Sequence, residues 1–282
     1  MPRAQDGAID LYLDLLKGAL TRDIFDETYH SVAPRRGTAG SYLYAPFNWL
    51  LGRGRYELVM RTPLDARKEG RDIPHDAETM VGRLRLDQLQ RCITDVLDQE
   101  VPGDLLEAGG WRGGAAIFMR AVLKAHGVSD RRVFVADSFQ GLPRPEPNRF
   151  PHDAEDVLWS RPQLAVSIET VKANFQRYGL LDDRVCFLPG FFDVSLRSAD
   201  IGALAILRVD ADMYQSTTEV LDRLYPKVSA GGCVIIDDYG AMTSCRAAVD
   251  DFRKREGVVE ELCWIDWTGV FWRKQTASPR SG

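Results

Sequence analysis

Two apolar runs that each end in aspartates constrain this chain more than any other feature. Residues 204–209 are apolar except for Arg208 and lead into Asp210 and Asp212. Such a run reads as a strand buried on both faces, whose last residues emerge at the carboxyl edge of a parallel sheet. Residues 231–238 repeat the pattern: Gly231 and Gly232, the apolar Cys233, Val234, Ile235 and Ile236, then Asp237 and Asp238. The interval 217–228 is long enough for one crossover helix, so the two strands are expected to be parallel neighbours that bring Asp210, Asp237 and Asp238 together. Acids after strands also serve as helix caps and turn residues. Two acid-tipped strands in tandem favour a shared cation, and an all-oxygen donor set selects a hard divalent ion such as Mg²⁺.

A further strand runs into glycines. Leu105, Leu106, Glu107 and Ala108 lead into Gly109, Gly110, Trp111, Arg112, Gly113 and Gly114, and a helix is expected over 115–125. Glycines let the backbone approach a ligand closely, and a helix start offers free N–H donors. The spacing is not Gly-x-Gly-x-x-Gly, and Glu107 at the strand end would repel a pyrophosphate. An ammonium or sulfonium group tolerates that acid, which favours S-adenosylmethionine over a dinucleotide. Residues 132–137 form the next strand and end in Asp137, 30 positions after Glu107 (137 − 107). That is the length of a βαβ unit, and it places Asp137 where an acid takes ribose hydroxyls. Phe191 follows the strand begun at Arg184; its ring suits either an adenine face or the core.

The remaining pattern supplies the frame. A helix is expected over 9–20. Residues 31–71 fit no single period: Tyr42, Tyr44, Phe47, Trp49 and Tyr56 make them aromatic and Arg35, Arg36, Arg53 and Arg55 make them basic, as in a lid or an oligomer contact. Asp76, Ala77, Glu78 and Thr79 are expected to open a helix that runs to Leu97. Prolines make 143–162 an irregular loop, 167–178 and 244–255 read as helices, and strands over 258–265 and 270–273 form a closing hairpin whose last strand is antiparallel. The expected organisation is an N-terminal helix and lid or oligomerisation segment, 1–72, a catalytic body, 73–274, and a polar tail, 275–282.

Net charge is −5 over 282 residues, which argues against nucleic acid or an anionic membrane as partner. No apolar stretch is long enough to span a bilayer and the first residues lack a signal-peptide core, so a cytoplasmic location is expected. The five cysteines form no Cys-x-x-Cys pair and read as buried thiols; the four histidines show no ligand spacing.

Several of these stretches together carry a family resemblance: Thr79, Met80, Val81 and Gly82; Glu107 to Gly114; 135–143; 178–183; 207–214; and 236–239. They resemble the macrocin-type (TylF, MycF and NovP-like) sugar O-methyltransferases, over about 73–273, with weaker likeness near 10–17. The resemblance implies a Rossmann-like, seven-stranded S-adenosylmethionine-dependent methyltransferase fold with a mostly parallel sheet. It also implies Mg²⁺ dependence and methylation of a deoxysugar hydroxyl on a natural product such as a macrolide. Carried over by position, Glu107, Gly109, Asp137, Ser138 and Phe191 would hold the cofactor, with Thr79, Met80, Trp111, Gly113 and Gly190 completing the candidate set. Asp210, Asp237 and Asp238 would hold the metal. Ala108 stands where the family usually has threonine, and the segment 31–71 is longer than the family pattern.

Asp210 is the expected base as well as a ligand, Asp212 is expected to face away from the ion, and His152 is the rival base. The expected partner is a small glycosylated acceptor, with self-association as a homo-oligomer. Two alternatives stand beside this reading: a catechol-type enzyme with Trp49 and Trp159 lining a slot, and a non-catalytic cofactor-binding or assembly protein.

Overall fold

The computed structural model describes residues 4–25, 27–31, 39–54, 56 and 58–275. Helix α1 (Ala4–Thr21) is placed by its leucines: Leu13, Leu16 and Leu20 recur at helical spacing and all three are buried in the main core. The stretch that fits no period holds α2 (Ala39–Arg53), with Pro46 inside it, between the short strands β1 (Thr28–Ser31) and β2 (Val59–Thr62). These two pair antiparallel as a sheet of their own, Thr28 opposite Thr62. Arg35, Arg36 and Arg55 of that stretch lie outside the described residues, as do 276–282 of the expected tail. Helix α3 (Leu64–Glu69) follows and ends at Gly70.

Helix α4 (Arg83–Asp98) begins seven residues later than the expected 76 (83 − 76). The Thr79 hydroxyl accepts the Val81 N–H at 3.0 Å and the Glu78 carbonyl accepts the Gly114 N–H at 3.0 Å. The backbone groups that a first helical turn would use are already engaged elsewhere.

The main sheet comprises β3 (Asp104–Ala108), β4 (Val133–Asp137), β5 (Val185–Pro189), β6 (Leu204–Val209), β7 (Val228–Ile236), β8 (Cys263–Trp264) and β9 (Val270–Arg273), in the order β5-β4-β3-β6-β7-β9-β8. Neighbours from β5 to β7 are parallel, whereas β9 is antiparallel to both β7 and β8. The expected fold class is the one observed. Every residue of β6 is buried, because helices cover both faces of the sheet. On one face pack α1, α4, α5 (Gly114–Ala125) and α6 (Ile168–Arg177). On the other pack α7 (Phe192–Ser198), α8 (Tyr214–Leu224) and α9 (Thr243–Glu256). Each fully buried leucine, isoleucine or phenylalanine there contributes about 1.5–3 kcal/mol.

Three details differ from expectation. The crossover helix opens at Tyr214, ahead of 217, because the buried Asp153 carboxylate accepts the Tyr214 and Gln215 N–H groups. The short α7 had no periodic stripe to announce it. The strand expected over 258–265 is only Cys263–Trp264: the Val258 N–H donates to the Arg253 carbonyl, which spends that stretch on closing α9. All five cysteines are free thiols, and Cys92, Cys233 and Cys245 are buried as expected. No described helix is long and apolar enough to cross a membrane.

Candidate active site

Hydrogen bonds that carry the parallel ladder one step past the strand ends assemble the site. The Asp210 N–H donates to the Ala108 carbonyl at 2.8 Å and the Asp237 N–H to the Val209 carbonyl at 2.9 Å. The tips of β3, β6 and β7 therefore stay side by side, and one carboxylate oxygen from each of Asp210, Asp237 and Asp238 lies within 4.8 Å of the others. The convergence inferred from the two acid-tipped runs is present.

A charged residue in the middle of a buried strand must find partners. Arg208 is 2 % exposed and finds three: its Nη1 donates to Glu107 Oε1 at 2.6 Å and to Asp210 Oδ2 at 2.9 Å, and its Nη2 donates to Asp237 Oδ1. Arg85, reaching over from α4, donates through Nη1 to Asp237 Oδ2, through Nε to Asp266 Oδ2 at 3.0 Å and through Nη2 to the Gly70 carbonyl at 3.2 Å. Neither arginine stood out by spacing alone, although Arg208 was visible as the single charge in its run.

These contacts divide the acids by pKa. Burial raises Asp237, but Arg208 and Arg85 outweigh it and leave the carboxyl below its usual range. Burial, with repulsion from Asp237 and against the pull of Arg208, lifts Asp210 to about 6. Asp238 is raised well above the ordinary value by burial and by Asp212 and Asp210. Burial and then Asp210 push Asp212 up to about 8. Negative charge is thus compensated by arginine at Asp237, whereas Asp212 and Asp238, without such a partner, hold their protons more tightly.

A cleft runs from Asp210 along the sheet edge, lined among others by Met80, Gly109, Trp111, Asp137, Ser138, Phe191 and Asp212. Gly109 has φ of 93°, and a Cβ there would fall 1.7 Å from the Asp210 carbonyl oxygen, so only glycine lets β3 turn here. Asp137 secures that turn: Oδ2 accepts the Gly110 and Trp111 N–H groups at 2.8 and 3.1 Å, and Oδ1 accepts the Phe139 N–H at 2.7 Å. The Trp111 indole N–H donates to the Gln163 carbonyl at 2.9 Å and so ties the loop to the turn.

Thr79, Glu107, Gly113 and Gly190 stand behind this lining rather than in it. Glu107 is 2 % exposed and paired with Arg208; a Cβ on Gly113 would come within 2.8 Å of Val171; the Gly190 N–H donates to the Asp137 carbonyl at 2.9 Å. Asp212, expected to face away from the ion, is not one of the three converging carboxylates, and it lines the cleft. Its φ of 56° turns the chain at the end of β6 toward the opening, which the sequence pattern did not foretell. His152, the rival base, lies outside the lining with its ring stacked on Tyr214, centroids 4.8 Å apart.

A seven-stranded sheet with this order, a glycine turn after β3 and an acid at the tip of β4 define the Rossmann-like fold class of S-adenosylmethionine-dependent methyltransferases. Residues 9–274 match the family described as macrocin-O-methyltransferase (TylF), and the chain belongs to that family. It is 48 % identical over 277 residues to the 8-demethyl-8-(2,3-dimethoxy-alpha-L-rhamnosyl)-tetracenomycin-C 4'-O-methyltransferase of Streptomyces olivaceus, covering 98 % of this chain and 97 % of that one. With the mycinamicin III 3''-O-methyltransferase of Micromonospora griseorubida it shares 44 % identity over 269 residues, covering 94 % and 97 %. The solved structure of the O-methyltransferase NovP is similar at a TM-score of 0.81 and 42 % identity, over 95 % of this chain and 100 % of that chain. Family membership sets aside the reading as a non-catalytic binding protein.

Proposed function

We propose that this enzyme methylates a hydroxyl of a sugar carried on a natural-product scaffold, with S-adenosylmethionine as donor and Mg²⁺ at Asp210, Asp237 and Asp238. The relatives act, by their names, on a rhamnosyl tetracenomycin and on mycinamicin III, and similarity across nearly the whole chain supports that acceptor class. The observation that carries the reading is the convergence of three carboxylates at the end of the cleft. Its donor set is all oxygen, which fits a hard divalent ion. Asp238 has no ion-pair partner among the described residues, so a divalent ion would take the place of the proton that burial and the neighbouring acids hold on it.

A divalent cation supplies positive charge that makes a neighbouring hydroxyl more acidic, and S-adenosylmethionine supplies a methyl group on a sulfonium sulfur. The chain's own residues do the rest. Met80, Gly109, Trp111, Asp137, Ser138 and Phe191 form the donor lining: beyond its three backbone partners Asp137 keeps one lone-pair site, on Oδ1, for a ribose hydroxyl, and the half-exposed Phe191 ring offers a flat face to adenine. Thr79, Glu107, Gly113 and Gly190 support that lining from behind. Asp210, at the junction of cleft and acids, is the group placed to accept the hydroxyl proton. Tyr42, Phe47 and Trp49 on α2 are exposed, which supports a surface covered in use by the acceptor or by a second copy.

The test is a panel of glycosylated natural products with radiolabelled methyl donor, with and without EDTA. Glycosides should be labelled, labelling should vanish in chelator and return with Mg²⁺, and Asp210→Asn or Asp237→Asn should lower turnover about 100-fold or more with donor binding nearly unchanged. Undiminished labelling in EDTA refutes the cation. Labelling of a simple catechol with none of any glycoside refutes the acceptor class.

A further inference from the structure

We infer that Arg208 and Arg85 are positioning residues of the cation site, holding Asp237 and Asp210 in place before an ion arrives. The inference rests on the cation reading above and goes beyond it by assigning two residues that touch neither donor nor acceptor.

Asp237 is 4 % exposed, and each of its oxygens accepts from a different arginine: Oδ1 from Arg208, Oδ2 from Arg85. A carboxylate gripped on both oxygens by two planar, always charged guanidiniums cannot rotate about its last bond. Each oxygen still has a second lone pair, so the grip directs the carboxylate without using up its capacity to bind an ion. Arg208 Nη1 also holds Asp210 at 2.9 Å, so a single guanidinium bridges the tips of β6 and β7 and offsets the repulsion between their acids. Its remaining anchor, Glu107 at 2.6 Å, fixes the guanidinium from the β3 side.

Arg85 is anchored away from the parallel strands. Its Nε takes Asp266 in the turn between β8 and β9, at 3.0 Å, and its Nη2 takes the Gly70 carbonyl at the end of α3, at 3.2 Å. The carboxylate direction at Asp237 is therefore set by elements on both sides of it. Two guanidiniums near a cation weaken the attraction the ion feels. Their presence favours cation binding only if orienting the acids and suppressing their mutual repulsion outweighs that loss, which gives the inference a definite sign.

Mn²⁺ binding, read from the electron paramagnetic resonance of the free ion, measures this directly in wild type, R208M, R208K, R85M and R85K. S-adenosylhomocysteine binding by calorimetry in EDTA reports on the donor side in parallel. The methionine variants should bind Mn²⁺ about tenfold or more weakly, the lysine variants should fall between them and wild type, and the affinity for S-adenosylhomocysteine should hold within about threefold. If R208M fails to fold because Glu107 is left buried and unpaired, E107Q/R208M removes the acid together with the guanidinium and should show the same loss of Mn²⁺ affinity. Unchanged or tighter Mn²⁺ binding overturns the inference, and so does an equal loss of both affinities, which would mean general damage to the sheet edge. A wild-type protein that binds no Mn²⁺ overturns instead the cation reading on which the inference stands.

Discussion

Glu107 is pushed up to about 8 from an ordinary value of 4.5, because its complete burial outweighs the attraction of Arg208. Between those two values the folded chain keeps a proton that the unfolded chain releases, so stability is full below about pH 4.5 and is lost as pH rises through about 8. The raised Asp210 and Asp212 act in the same direction while no ion is bound. Thermal melts in EDTA should therefore show the midpoint falling from pH 5 to 8. Glu107→Gln should flatten that slope by up to one proton's worth, about 1.4 kcal/mol per pH unit. A slope identical in the variant would show that Glu107 does not titrate there. The place of Glu107 at the strand tip was legible in the sequence, but not its pairing with Arg208 one strand away, a contact that no local spacing records.

One side chain fastens the loop over 143–162 to the start of α8. Asp153 accepts the Tyr214 N–H at 2.7 Å and the Gln215 N–H at 3.0 Å, which satisfies two free donors at the start of α8. Asp153→Ala should cost about 1–2 kcal/mol in denaturant unfolding and make the loop more open to limited proteolysis. No loss of stability would mean that another group caps α8. The elements that sequence pattern revealed, β3, β4, β6, β7 and the glycine turn, are those whose burial on both faces or whose special backbone leaves a mark on residue type. Those it missed leave none. The start of α4 depends on where Thr79 and Glu78 spend their hydrogen bonds, α7 is a short helix held by packing, and the contact of Arg85 with Asp237 joins residues 152 positions apart, a separation no local period records.

For the molecule as a whole, the first helix belongs to the same core as the sheet. Leu13, Leu16 and Leu20 are buried with residues of α4 and α5, and the Gly70 carbonyl is one anchor of Arg85. A chain trimmed to begin at residue 73 should lose cooperative unfolding and Mn²⁺ binding together, because three leucines worth about 1.5–3 kcal/mol each leave the core along with that anchor. A trimmed chain that melts sharply and binds the ion would show the first 72 residues to be an independent attachment. The donor cleft has a similar reach: Met80 comes from the strap beside α4, whereas Gln215 and Glu219 come from α8 on the opposite face of the sheet. Whatever fills that space acts as a rivet through the edge, joining Met80 on one side of the sheet to α8 on the other, and so restrains one helical layer from sliding over the other.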